Sequence, residues 1–175
     1  MFKKLLYSFM IILALSSIAL GSYRFFESQA DVKVSTSNEF VIEYEGAKQY
    51  VLSKGNSSTT YLFFCSFNND NCNYIENTLY SDVNKELVDR KIEDIVEYVD
   101  IDNIDESRQL ETLLNDWQIN NFPAFVSVST NDEALTINNS LVWNNEVPMT
   151  ANDILSWLSI NNLYEGEISQ QVLMP

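Results

Sequence analysis

The chain of 175 residues contains no histidine, two cysteines, four glycines and three prolines, and only 10 Lys and Arg stand against 25 Asp and Glu. Without histidine there is no Ser-His-Asp or Cys-His catalytic unit, no imidazole base and no His-containing zinc site, and two thiolates are too few for a Cys-only one. The shortage of cations argues against nucleic acid, because phosphate binding needs a basic surface that displaces counterions. Apolar residues are plentiful: 46% of the chain is hydrophobic and 13% aromatic, enough for a packed core and unlike a disordered acidic tail. One compact domain is expected at this length. The charge of −15 is unevenly distributed. Lys3, Lys4 and Arg24 are the charged residues of the first 26, which leaves 7 basic against 25 acidic residues, a net −18, in the remainder.

An uncharged stretch runs from Leu5 to Tyr23 behind Lys3 and Lys4 and ends at Arg24-Phe25-Phe26. As a helix it covers about 28 Å, just enough to cross a bilayer. Tyr23, Arg24 and the two phenylalanines resemble an interfacial belt, so residues 1–26 are read as a membrane anchor. A cleaved signal peptide is the alternative, with Ala19-Leu20-Gly21 as an acceptable cleavage site. No Cys lies near the end of the run, which excludes a bacterial lipoprotein. In either case the lysines stay inside and the acidic body is exported, to a single-pass membrane position or as a secreted protein. Disulfides persist outside the cytoplasm, so a lone cysteine pair is expected to be bonded unless geometry forbids it.

Residues 27–39 are polar without a sustained apolar period and read as a tether. Phe40 to Tyr44 is a short strand candidate, and Glu45 to Ser53 carries helical spacing with Gly55 at a C′ position. Thr59 to Cys65 is a nearly continuous β-branched and aromatic run, as in a strand buried on both faces. A polar loop from Ser66 to Asn71 offers N-cap chemistry for a helix over residues 71–90, in which Ile75, Leu79, Val83 and Leu87 recur at i+4. Ile95 to Ile101 is the next strand. Asp105 to Gln118 reads as an amphipathic helix with Leu110, Leu113, Leu114 and Trp117 inward. A strand then begins at Pro123 and runs to Val128, and its partner occupies part of 134–143. Thr150 to Asp153 resembles a capping box opening a last helix to about Ile160.

The order β-α-β-α-β-α-β-β-α, the cysteine-bearing loop between a hydrophobic strand and a helix, and the proline opening the fourth strand together resemble the thioredoxin fold. The resemblance implies an α/β domain over residues 40–165, three layers with a mixed central sheet flanked by helices, followed by a tail at 166–175. In that family the loop carries Cys-x-x-Cys at the helix N-terminus, and a cis proline faces it. Pro123 in Asn-Phe-Pro-Ala-Phe matches the proline, so Phe122 and Pro123 are the implied substrate platform. The cysteines depart from the pattern: six residues separate Cys65 from Cys72. Aligned on the helix start, Cys72 takes the resolving position and Asn69 the nucleophilic one. Aligned on Cys65 as nucleophile, Asn68 falls in the resolving position.

A reactive thiol needs a stabilised thiolate, which the family obtains from the helix terminus. Cys65 ends an apolar strand, and the loop offers Asp70 but no Lys or Arg, so the environment opposes a thiolate. Cys65 and Cys72 are therefore read as a structural disulfide or inert thiols, with a catalytic redox pair as the alternative. Asp100, Asp102, Asp105 and Glu106 lack the Gly and terminal Glu of an EF-hand and read as a solvated loop rather than a Ca²⁺ site. Asn56-Ser57-Ser58 and Asn138-Asn139-Ser140 fit the glycosylation sequon. Trp117, Trp143 and Trp157 fall at apolar positions and are expected in the core. No metal or cofactor is implied.

Two functions follow. The first is a membrane-tethered extracytoplasmic accessory or binding protein; in size and layout the chain is similar to the anchored thioredoxin-like accessory proteins of bacteriocin export systems. Its −18 body would attract a cationic peptide or protein partner, although solubility and repulsion from anionic lipid are the plainer use of that charge. The second is an extracytoplasmic thiol-disulfide oxidoreductase using Cys65 and Cys72.

Overall fold

The computed structural model describes residues 33–34, 40–131 and 134–166. The Leu5 to Tyr23 segment and the tail from residue 167 lie outside them, and among the described residues no helix is long and apolar enough to cross a membrane. The elements are β1 (Lys33–Val34), β2 (Phe40–Glu43), α1 (Tyr44–Ser53), β3 (Thr59–Cys65), α2 (Asp70–Tyr74), a π turn (Ile75–Leu79), α3 (Tyr80–Glu86), a 3₁₀ turn (Ile92–Asp94), β4 (Glu97–Asp100), α4 (Gln109–Trp117), β5 (Ala124–Asn131), β6 (Ala134–Val142) and α5 (Ala151–Ile160).

One six-stranded sheet has the order β1-β2-β4-β3-β5-β6. β2, β4 and β3 are parallel, and β5 and β6 run antiparallel to their neighbours. The Phe122-Pro123 peptide bond at the start of β5 is cis. This order and that proline are the thioredoxin-like arrangement the sequence resembles. β1 pairs with β2 inside the stretch expected to be only a tether, so two tether residues belong to the sheet instead. Backbone pairing along β2 needs no apolar period in β1, which is why side-chain pattern carries no sign of it.

β3 has the extent expected and sits between β4 and β5 with both faces covered. Its period of 2 divides the core. Phe63 and Cys65 point toward α2, α3 and α5, among Cys72, Ile75, Val83, Phe125 and Trp157. Leu62 and Phe64 point toward α1 and α4, among Ile42, Val51, Leu113, Trp117 and Val126. Each such side chain contributes roughly 1.5–3 kcal/mol of burial. Trp117, Trp143 and Trp157 are all buried, as expected.

Several boundaries differ from expectation, among them Tyr44, which opens α1 instead of ending β2, and β5, which runs on to Asn131; three have clear physical reasons. The helix after the loop stops at Glu86, where Leu87 turns extended. Its i+4 repeat outruns the 3.6-residue turn of an α-helix, and the wider π turn at Ile75–Leu79 restores the phase, so Ile75, Leu79, Val83 and Leu87 are all buried. The strand expected from Ile95 begins only at Glu97, because Ile95 and Val96 donate to the Ile92 carbonyl in the 3₁₀ turn. α4 starts at Gln109 rather than Asp105, whose carboxylate accepts from the Ser107 amide and hydroxyl in a separate turn. Within α4, Leu113 and Trp117 face inward, whereas Leu110 and Leu114 are 48% and 51% exposed. The last helix opens on the expected capping box, with Thr150 and Asp153 bonded reciprocally.

α1 is fastened at both ends by tyrosines. Tyr44 donates to Asp116 at 2.6 Å and Lys48 to the same carboxylate at 2.8 Å; one and a half turns on, Tyr50 donates to Glu97 at 2.6 Å, with Lys54 at 3.6 Å. Both phenols are pushed up, first by burial and then by their carboxylate partners. At Asp116 burial pushes the carboxyl up, but the bonds from Lys48 and Tyr44 outweigh it and hold it below the ordinary value.

Candidate functional site

The cysteines lie at the carboxyl end of the central strands. β3 delivers Cys65 as its last residue, and the Ile101 amide bonds the Cys65 carbonyl, tying the strand end to the exit of β4. Four residues later the chain re-enters a helix at Asn69, whose side chain accepts from the amides of Asn71 at 2.9 Å and Cys72 at 3.2 Å. Asn69 is thus the N-cap of α2. The position that the resemblance assigned to a nucleophile is occupied by a side chain satisfying two helix donors.

Capping turns Cys72 inward, where it forms a disulfide with Cys65, with S–S 2.00 Å and Cα–Cα 5.8 Å. Both residues are 0% exposed. The Ser66 amide donates to Cys72 Sγ at 3.2 Å. The loop over the bridge is held by one carboxylate: Asp102 accepts from the Ser66 hydroxyl and, at 3.2 Å, from the Asn68 amide group. Asp102 belongs to the run expected to be a solvated loop, and it is exposed; among the described residues no group of three or more His, Cys, Asp or Glu could hold a metal ion.

On the other side, β5 pairs with β3 as far as Phe64 opposite Ala124. One more step of that register sets Pro123 opposite Cys65. The Pro123 carbonyl accepts from the Trp143 amide at 2.9 Å, and Asn121 donates to the Trp143 carbonyl at 2.9 Å while accepting from the Phe122 amide. Pro123 is buried and Phe122 half-buried against the α1 and α4 side. So the structure brings Cys65, Cys72 and Pro123 to one end of the sheet, while Phe122 turns to the other face.

Sequence reasoning passed over the aromatic rim. Phe67 stacks on Tyr98 with centroids 4.9 Å apart and remains 46% exposed. Tyr74 meets Trp143 edge-on at 6.4 Å. Beside this rim a groove of about 690 Å³ is lined by Leu110, Asn120, Asn121, Val142, Trp143, Asn144, Asn145 and Glu146. An exposed aromatic in a polar loop was the available signal for Phe67. For the groove there was none, since its walls come from three separate parts of the chain. A mixed lining, with Leu110, Val142 and Trp143 beside asparagine amides, suits a peptide, which needs both side-chain burial and backbone hydrogen bonds.

No family model matches this chain, and no curated protein does. Among solved structures it is similar to a thioredoxin of Plasmodium falciparum, at 16% identity and a TM-score of 0.42, covering 75% of this chain and 93% of that one. It is also similar to the Malassezia sympodialis thioredoxin Mala s 13, at 16% identity and a TM-score of 0.42, over 69% and 89% of the two chains. A redox protein from Chlamydomonas reinhardtii matches at 10% identity and a TM-score of 0.43, over 77% of this chain and 38% of that one.

Proposed function

We propose that this chain is a membrane-tethered, extracytoplasmic thioredoxin-like accessory or binding protein whose Cys65–Cys72 bridge is a structural staple rather than a redox centre, and that it assists export or maturation of a peptide or protein. The observation that carries the reading is the complete burial of both cysteines. Disulfide exchange requires an attacking thiolate to approach one sulfur along the S–S axis, and neither sulfur offers that approach while the loop is closed. No Lys or Arg occurs in the loop to stabilise a leaving thiolate, whereas Asp70 and Asp102 oppose one. The groove beside Pro123 supplies a place for a partner that needs no covalent chemistry.

The second reading, a thiol-disulfide oxidoreductase, is favoured by one observation: Pro123 lies opposite Cys65 in the β3–β5 register. In that chemistry a partner dithiol would be oxidised as Cys65–Cys72 is reduced, with two electrons and two protons passing to the cysteines. Insulin reduction, the same exchange run in reverse from the reduced cysteines with dithiothreitol supplying the electrons, separates the two in the full-length chain. The accessory reading expects no turnover and a bridge that resists mild reductant in thiol trapping. Turnover that Cys72→Ser abolishes would establish the oxidoreductase instead.

A further inference from the structure

The sheet has two unlike edges. β1 is two residues long and offers almost nothing to pair with. β6 is nine residues long, close to 30 Å of strand. It carries no Lys, Arg, Asp, Glu or Pro between Ala134 and Val142, and its single irregularity is a register shift opposite Ser127 and Val128. Among the described residues no strand lies on its outer side. Charged side chains, prolines and short length, three of the usual protections of such an edge, are absent from β6, and the bulge that skips Asn138 is the one it carries.

Charge decides which occupant fits. From Gln109 to Pro175 the chain has eight acidic residues and no Lys or Arg. Asp132 and Glu133 precede β6 in the sequence and Glu146 follows it. Self-pairing along β6 would bring together two bodies each at −18, so a second copy is disfavoured. The edge also runs into the groove, because Val142, the last residue of β6, lines it. An extended chain paired along the Val142 end of β6 would lead toward the pocket formed by Leu110, Asn121 and Trp143.

We infer that β6 accepts an extended segment of a cationic peptide or protein partner as a seventh strand, with one end of that segment seated in the groove beside Pro123. The inference rests on the partner-binding reading above and adds the conformation and charge of the partner. Backbone pairing supplies affinity without demanding a sequence, and basic flanks supply selectivity.

The test uses the full-length chain in nonionic detergent and a fluorescent peptide of alternating threonine and valine flanked by lysines. Saturable binding is expected, weakening about tenfold between low and high salt, with hydrogen exchange slowed in β6. A glutamate-flanked peptide and a peptide N-methylated along one edge are each expected to bind at least about tenfold less tightly. Ser140→Pro is expected to weaken binding as well, and the N-methylated peptide gives the same answer should that variant misfold. Binding that protects only residues 120–121 and 143–146 would overturn strand addition and leave partner binding standing. Self-association with β6 protected and no response to peptide would overturn it in favour of a second copy. Absence of binding would overturn it outright, whereas insulin reduction would refute the accessory reading independently.

Discussion

Reducing the Cys65–Cys72 bridge is the perturbation that most directly weighs staple against redox centre. The bridge joins residues seven apart, and a loop that short removes about 2.4 kcal/mol of unfolded-chain entropy. Reduction in place keeps both sulfurs in the core and the Ser66 amide beside Cys72, so about 2.4 kcal/mol is the whole expected cost. Replacing both residues by alanine further costs the loss of two buried sulfur atoms, at roughly 1 kcal/mol each, and leaves the Ser66 amide without its acceptor, at roughly 1–3 kcal/mol. The double variant should therefore lose about 5–7 kcal/mol, a large share of the 5–15 kcal/mol typical of a domain. Urea unfolding of oxidised, reduced and double-alanine protein measures both steps. The reduction rate in native buffer supplies the kinetic half: attack must await opening of the loop, so the rate should climb steeply with urea below the unfolding midpoint. Reduction as fast in the native protein as in the unfolded chain, with a stability loss below about 0.5 kcal/mol, would refute the reasoning.

Asn69→Ala removes the cap of α2 and should cost about 1 kcal/mol in urea unfolding, while Asn69→Asp should retain most of it. Asp102→Ala releases Ser66 and Asn68 from their shared acceptor; stability should fall by no more than about 1 kcal/mol because the carboxylate is exposed, but native-state reduction of the bridge should accelerate several-fold, as read by thiol trapping. Tyr44 and Tyr50 have folded-state values raised above the ordinary 10.0. Their contribution is complete below pH 10 and is lost as pH rises through the folded values; alkaline absorbance titration should show these two phenols titrating late, and Tyr44→Phe should remove one. Asp116 is shifted the other way, so its contribution is present above the ordinary 3.8 and is lost as pH falls through its lower folded value; Asp116→Asn should flatten the acid limb of the stability profile.

Much of the architecture was legible because it is local. The run from Thr59 to Cys65 has one plausible conformation, since β-branched and aromatic side chains without alternation suit a strand covered twice. The Thr150 to Asp153 capping box needs only four residues to satisfy its own donors. The Leu110-Leu113-Leu114-Trp117 stripe shows where local reading stops. Its spacing fits a helix with all four inward, yet the sheet beneath α4 covers only Leu113 and Trp117, and Leu110 forms a groove wall instead.

The site divides along the same line. Residue order alone set a cysteine at a strand end, a second in the first turn of a helix, a proline opening β5, and a strongly acidic body, because composition and short-range pattern are properties of the chain in any conformation. Asn69 as a cap, the meeting of two buried sulfurs, Asp102 as the anchor of the loop, the register that sets Pro123 opposite Cys65 and the open edge of β6 were decided by tertiary structure. Each depends on which distant residues share a neighbourhood, and that is fixed only when both faces of one sheet are buried together.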